Sequence, residues 1–448
     1  MPAGPEPMTA VRPFDVTHRG VLAIAVPMTL AYLSTPLLGI VDTAVIGRLG
    51  RADLLGGIAV GSVIFSILFT TFNFLRSGTT GLTAQAVGAA DAVGETAALY
   101  RAGLIGLLAG ALVIVLQVPI LAVSLAFMGA SGEVEDAVAV YFAIRILGAP
   151  FALVNYAVLG WFLGRGQAIT GLALQLLLNS LNMALNASFV LWLDWGVAGV
   201  AWGTVIGETV TAVVGITLCA RTLATSFRIP RQLLFARDGL MRTFAVNRDI
   251  MVRSFSLLFA FALFTSASAR QGDVVLAANA VLMNFFLLGG YFLDGFATAG
   301  EQLAGRAIGA RYRPAFSRAV RLTFVWGLGL ATLLSAILLV FGPAFIDILT
   351  TNEEVRRTAR VYLVWAALTP LLGVAAFEFD GVFIGATWSD DMRNMMLVSL
   401  AAYVVAWQIA TPHLGNHGLW LAIAVFLVVR GATLAMRYPV RLARTFPG

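Results

Sequence analysis

The sequence predicts an all-α integral membrane protein: twelve transmembrane helices in two pseudo-symmetric six-helix bundles, related as a parallel repeat. Three observations carry this expectation. Hydrophobic residues make up 59% of the 448 and charged residues only 12%, with a mean hydropathy of +0.89, a balance foreign to soluble domains. The apolar residues fall in long runs rather than in the alternating segments of about ten residues that build an outer-membrane barrel. Four places in the first half return in the second at a shift of 219–221 residues.

At roughly 20–27 residues per span plus short loops, the chain has room for about twelve spans. The apolar runs put the first six at 19–46, 55–76, 95–122, 136–163, 168–193 and 197–221. The second six fall at 249–270, 277–305, 315–342, 358–385, 393–412 and 416–437. Most connections are too short to fold a separate domain. The stretch 223–248, with Arg228, Pro230, Arg231 and Arg237, reads instead as a basic connector on the cytoplasmic surface. The expected organisation is therefore an N-terminal lobe 1–222, a linker 223–248 and a C-terminal lobe 249–448 with a short tail.

The repeat is explicit in the residues. Gln85-Ala86-Val87-Gly88-Ala89 returns as Arg306-Ala307-Ile308-Gly309-Ala310, and Gly160-Trp161-Phe162-Leu163-Gly164 as Gly381-Val382-Phe383-Ile384-Gly385. Pro150 corresponds to Pro370, and Gly196 and Gly199 to Gly415 and Gly418. Self-similarity at a fixed shift marks duplication. An even number of helices per copy makes both copies enter from the same side, with the pathway expected between the halves.

All 29 basic residues are arginine, which with the Ala and Gly content suggests a bacterial genome. With both termini inside, 21 arginines fall on the cytoplasmic side and six outside, while Arg145 and Arg430 lie within spans, which accounts for the 29. The positive-inside rule thus predicts a multi-pass protein of the bacterial inner membrane with both ends cytoplasmic. The charge reads as orientation rather than as nucleic-acid binding. The single cysteine, Cys219, excludes a disulfide framework. The first apolar run is too long for a cleavable signal peptide, and Arg48 and Arg51 follow it.

Taken in order along the spans, a few polar residues stand out. Asp42 lies in the first, where a carboxylate costs roughly 2.5–3.5 kcal/mol on insertion scales unless it reaches water, a partner or a proton. Pro27 and Pro36 interrupt the hydrogen-bond ladder of the same helix. A bendable helix bearing a titratable group suits a moving part in ion-coupled transport. Arg145 in the fourth span and Arg430 in the twelfth are expected to snorkel or to pair with an acid. Asn182 and Asn186 on the fifth span, and Thr204 and Glu208 on the sixth, are each four apart and so share a helix face. At about 1.5 Å per residue, Asp42 comes out ~6 Å from the outer end of its helix. Asn186 and Thr204 come out at ~10 Å, and Asn182 and Glu208 at ~16 Å.

At these residues the sequence resembles the multidrug and toxic compound extrusion (MATE) transporters. Leu37-Leu38-Gly39-Ile40-Val41-Asp42-Thr43-Ala44-Val45-Ile46-Gly47 is similar to the first helix of that family. Thr79-Thr80-Gly81-Leu82-Thr83-Ala84-Gln85, Asn247-Arg248-Asp249-Ile250-Met251 and Leu293-Asp294-Gly295-Phe296-Ala297 resemble its DinF-type branch. Asp380-Gly381-Val382-Phe383-Ile384-Gly385-Ala386-Thr387 and Leu414-Gly415-Asn416-His417 complete the set. The resemblance implies two six-helix bundles in a V around a central cavity. It implies export of bulky amphipathic, often cationic compounds in exchange for protons or sodium ions by alternating access. The expected partners are small amphipathic organic substrates and the lipid bilayer, with no nucleic acid and no cofactor beyond the coupling ion, and the expected state is a monomer.

The resemblance also groups the polar residues. Asp42 matches the family's helix-1 acid, tied there to proton coupling, and Asn182, Asn186 and Thr204 match its neighbours. Position 186 commonly carries aspartate in the family. Asparagine here removes a hard anionic ligand, which weakens a sodium site built from oxygens, so protons are favoured over sodium. Burial or Glu208 is then left to tune Asp42. Asn155 is a further family position, expected ~28 Å from the outer end and below the cluster. Tyr32 is a candidate cavity residue or an interfacial aromatic. Phe151, Phe285, Phe286 and Tyr291 are candidates for an apolar, aromatic cavity wall, or else core or lipid-facing residues. The second-lobe acids Asp294, Glu301, Glu378 and Asp380 read in two ways. They could form a second cation or substrate site, as acids on the same helices do in other MATE branches, or serve in inner-gate hydrogen bonds and in neutralising the nearby arginines. Asp294 and Asp380 come out ~25 and ~33 Å from the outside.

Two other function classes compete. A lipid-linked oligosaccharide flippase of the same superfamily would need cationic headgroup contacts, and the expected cavity shows acids rather than arginines. A membrane-embedded enzyme would need a nucleophile, a metal cluster or a phosphate loop. Only His18, His413 and His417 are available as histidines, the last two in a loop without a nearby acid.

Overall fold

In a medium without water every backbone N–H and C=O must pair within its own segment, which leaves long apolar runs no choice but helix. The structure, a computed structural model, describes residues 11–48, 52–128, 132–223 and 236–447. In order, its helices are α1 (His18–Gly47), α2 (Ala52–Thr71), α3 (Phe74–Gly88), α4 (Ala92–Val115), α5 (Gln117–Met128) and α6 (Gly132–Arg145). A turn of 3-10 helix, Ile146–Gly148, leads into α7 (Ala149–Gly164), α8 (Ala168–Leu191) and α9 (Gly196–Leu223). Then come α10 (Arg237–Ala269), α11 (Asp273–Gly309), α12 (Arg313–Leu349), α13 (Glu353–Gly385), α14 (Ser389–Leu414) and α15 (Asn416–Thr445). Among the described residues, twelve helical stretches are long and apolar enough to cross a membrane, and each overlaps one of the twelve expected spans.

Three of the expected spans are interrupted. The second consists of α2 and α3, joined by a turn at Phe72 and Asn73, the third of α4 and α5, parted at Leu116, and the fourth of α6, the 3-10 turn and α7. Pro150 sits in the first turn of α7, where its missing N–H has no helical acceptor to forgo. By contrast, α1 stays helical through both Pro27 and Pro36. Residues 224–235 of the expected linker lie outside the described residues. Its last part, from Arg237, is helix continuous with the seventh span.

The duplication reappears in atomic detail. Gly160 of α7 lies against the carbonyl of Arg76 on α3, and Gly381 of α13 lies against the carbonyl of Ala297 on α11, both partners shifted by 221. Gly164 on the carbonyl of Thr80 and Gly385 on that of Glu301 repeat the pattern one turn later. Left-handed turn residues are matched too: Ala90 (φ 51°) with Arg311 (52°), Gly166 (75°) with Thr387 (55°), and Gly196 (53°) with Gly415 (56°). Even the closing hydrogen bonds correspond, Gly166 N–H to Leu163 O and Gln167 N–H to Phe162 O, against Thr387 to Ile384 and Trp388 to Phe383.

The chain forms two compact units. The first comprises Leu30–Ala86 and Asp91–Asn247; the second comprises residues through Thr29, Val87–Ala90 and Arg248–Gly448. In the first, α8 packs on α9, α4 on α7 and α2 on α6, over a core that includes Val154, Trp161, Phe162 and Leu174. In the second, α11, α12 and α15 pack on α13, and α14 on α15, around Phe264, Leu282, Phe285, Trp420 and Phe426. The beginning of α1 belongs to the second unit: Gly295 of α11 lies against Ala25 O and Thr29, and Trp326 Nε1 donates to His18 Nδ1 at 3.1 Å. The remainder of α1, from Leu30, belongs to the first.

Candidate functional site

Helix α8 carries four amides, Gln175, Asn179, Asn182 and Asn186, spaced four, three and four apart, so one face is a polar stripe. The stripe binds α1 to α9. Asn179 Nδ2 donates to Ser34 Oγ at 2.7 Å, and Gln175 Nε2 donates to Asn179 Oδ1 at 3.2 Å. Further along, Asn186 Nδ2 donates to Asp42 Oδ1 at 2.7 Å and to Asn182 Oδ1 at 2.6 Å. Asn182 Nδ2 in turn donates to Thr204 Oγ1 at 2.9 Å, and that hydroxyl donates to Val200 O. Asp42, Asn186, Asn182 and Thr204 thus form one chain of hydrogen bonds, as grouped from the sequence. Asn186 is wholly buried. Gly203 makes room for its amide, since a methyl there would strike Asn186 Oδ1. Asp42 is half-buried and makes no ion pair among the described residues.

Glu208 does not join this chain. Its carboxylate is taken by Arg145: Nη1 donates to Oε2 at 2.9 Å and Nη2 donates to Oε1 at 2.6 Å. The guanidinium lies over two rings, 5.1 Å from the centroid of Phe65 and 5.0 Å from that of Phe69. Asn155 Nδ2 donates to the backbone oxygen of Glu208 at 3.0 Å. Asn155 is therefore level with the cluster and not below it. Counting residues measures path along the chain, which exceeds depth where a span breaks, as this one does between α6 and α7.

All of this surrounds a cavity of about 570 Å³ within the first unit. Tyr32, Asp42, Asn155, Asn182, Thr204 and Glu208 line it, with Arg76, Tyr141, Arg145 and Tyr156. The expectation of acids rather than arginines is corrected here: the wall holds two of each. Arg76 donates to Asn73 Oδ1 at 3.3 Å and to Ser77 Oγ at 2.9 Å.

The second-unit candidates scatter. Asp380, 4% exposed, pairs with Arg253, whose Nε donates to Oδ2 at 2.8 Å, and with Arg430. It is the hub of an arginine cluster from α10 and α15. Glu378 is buried against Gly327, with Asp294 in electrostatic range, and Glu301 is buried on α11. Phe285 and Phe286 are core residues, Phe285 edge-on to Phe345 and Phe286 edge-on to Phe261, so neither lines the cavity found in the first unit. Tyr291 is half-buried in α11, and Phe151 packs on the first unit's core. Among the described residues no group of three or more His, Cys, Asp and Glu side chains could hold a metal ion.

The sequence model of the MatE family matches residues 27–188 and 250–409, one stretch in each half of the duplication. The chain belongs to the MatE family. It is 39% identical over 419 residues to DNA damage-inducible protein F of Escherichia coli (strain K12), covering 92% of this chain and 90% of that protein. It is 29% identical over 453 residues to the probable multidrug resistance protein NorM of Deinococcus radiodurans, covering 94% and 95%. Among solved structures it is similar to a MATE transporter in the bent conformation, with a TM-score of 0.87 at 18% identity, covering 95% of this chain and 96% of that one. The same holds for a MATE transporter in the straight conformation, at 0.86 and 19%, covering 96% of each. This MatE protein is thus a multi-pass membrane transporter, a class apart from enzymes.

Sequence reasoning missed one thing at the MatE site: the amide stripe continues past Asn182 to Asn179 and Gln175, a signal visible as their 4-3-4 spacing. Of the two expectations for Arg145, pairing with an acid is the one met, and the acid is Glu208, 63 residues away, which the sequence did not name as its partner.

Proposed function

We propose that this MatE protein is a secondary active multidrug antiporter that exports amphipathic, often cationic compounds in exchange for protons by alternating access. The observation that carries the reading is Asp42: a half-buried carboxylate on the cavity wall, held by the neutral amide of Asn186 and in no ion pair among the described residues. Such a group can exchange its charge for a proton or for the charge of a substrate, but not keep both. Loss of its charge would weaken the hydrogen bond from Asn186 and loosen α1 from α8. Pro27 and Pro36 give that helix the freedom to respond, and relatives of this fold are described in bent and straight conformations. Proton uptake from outside, displacement of the bound compound outwards, and proton release to the cytoplasm complete the cycle, with both chain ends on the cytoplasmic side. Asn186 in place of a second carboxylate supports protons over sodium.

The test is dye efflux in inverted vesicles, comparing collapse of a pH gradient with collapse of a sodium gradient. Efflux should stop with the first and persist with the second, and Asp42→Asn should reach the membrane yet transport nothing. Wild-type efflux by Asp42→Asn, or efflux that follows sodium, would end the proposal.

A further inference from the structure

Glu208, Phe65 and Phe69 together make the kind of box that binds organic cations: a carboxylate on one side and aromatic faces on the others. The box opens on the cavity, since all three side chains are among those lining it. Its contents are already in place. The guanidinium of Arg145 makes a two-pronged hydrogen bond to the carboxylate, at 2.9 and 2.6 Å, and covers both rings at about 5 Å. Arg145 and Glu208 are each 6% exposed, so water replaces neither partner.

A pair of this kind is a poor stabiliser, because desolvating two ions offsets most of their attraction. Its consequence for binding is larger. Of the two acids on the cavity wall, one is cancelled by a tethered cation and the other, Asp42, is not. Arg145 also uses the two ring faces of Phe65 and Phe69 that a planar or quaternary cation would seek.

We propose that Arg145 is a built-in occupant of a second organic-cation subsite, Glu208–Phe65–Phe69, which it keeps closed so that a cationic substrate competes for Asp42 alone. The inference rests on the reading of this cavity as the place where cationic amphiphiles bind. It makes Arg145 a specificity-determining residue. With the arginine in place, one cation binds per cavity, and a proton on Asp42 removes the charge that holds it. Without the arginine, Glu208 offers a second anionic box beside Asp42, and the exchange of one cation per cavity is lost.

The probe is tetraphenylphosphonium, whose charge does not depend on pH, bound to purified full-length protein and measured by equilibrium dialysis at alkaline and at acidic pH. Wild type should bind at alkaline pH and release at acidic pH. Arg145→Met should bind about tenfold more tightly at alkaline pH, the gain expected for a desolvated cation–π contact. Arg145→Met/Glu208→Gln should lose that gain. Since Arg145→Met leaves a buried carboxylate uncompensated and can unfold, recovery of monodisperse protein is read in parallel. Tetraphenylphosphonium added during extraction should raise it for Arg145→Met and not for the double variant. Wild-type binding with no tighter binding at alkaline pH in Arg145→Met overturns the inference alone, as does a gain that survives in the double variant. No binding by any of the three proteins overturns it together with the reading beneath it.

Discussion

Asn186 donates both of its amide hydrogens, one to Asp42 at 2.7 Å and one to Asn182 at 2.6 Å, and its side chain is out of reach of water. Aspartate at 186 would set a second carboxylate within hydrogen-bond distance of the first. Two such groups cannot both stay ionised unless a proton or a cation sits between them. The oxygens of Asp42, Asp at 186, Asn182 and Thr204 would then form a ligand set of the hard kind that suits sodium. Asn186→Asp is therefore expected to raise the melting temperature in sodium chloride over choline chloride, with a smaller or no difference for wild type; equal responses in the two proteins would refute the argument. At this scale the sequence was readable where a residue's type is itself the signal, as with an acid in an apolar run. It was not readable where the partner decides the role. Glu208 and Asp42 are both lone intramembrane acids, and only the arrival of Arg145 from another helix tells the cancelled one from the other.

At the scale of helices and turns, the duplication turns one half of the molecule into a control for the other. The turn after α7 places Gly166 at φ 75°, while its counterpart after α13 is Thr387 at 55°. The turn after α3 uses Ala90 at 51° and its counterpart Arg311 at 52°, both exposed. A side chain in this region clashes with its own backbone at a cost of roughly 1–2 kcal/mol, and glycine there gives back part of the gain through its freer unfolded chain. Ala90→Gly and Arg311→Gly should each stabilise by about 0.5–1 kcal/mol, and Gly166→Ala should destabilise by about 1 kcal/mol, as read by thermal unfolding in detergent. Destabilisation by Ala90→Gly would mean that the conformation at 90 is not the one described. The twelve spans were legible because apolar length sets them. The breaks at Phe72–Asn73, at Leu116 and at Ile146–Gly148 were not, because each lies within a run long enough to read as one span. The 221-residue match of Gly160 and Gly381 was visible as a repeat, but its cause, a carbonyl of a neighbouring helix pressed against each glycine, required the fold.

For the whole molecule, the grouping of α1 is what a halved sequence cannot convey. The repeat suggests cutting between the sixth and seventh spans, yet residues through Thr29 belong to the unit that contains the last six. Val21, Ala25 and Met28 are fully buried, and α11 meets the backbone of this segment at Gly295, where a side chain would not fit. In a bilayer, lipid tails solvate apolar surface about as well as leucine does, so such a segment is held by close packing and hydrogen bonds rather than by exclusion of water. A lipid acyl chain cannot reproduce the fit against Gly295 or the hydrogen bond from Trp326 to His18. Residues 236–448 expressed alone should therefore yield little monodisperse protein, despite containing six complete spans. Co-expression with residues 1–235 should restore the yield, because α1 is then supplied in trans. Co-expression with the same piece lacking residues 1–29 should not. A fragment 236–448 that is monodisperse alone, with the melting temperature it shows in the co-expressed pair, would mean that the first turns of α1 are dispensable to that unit.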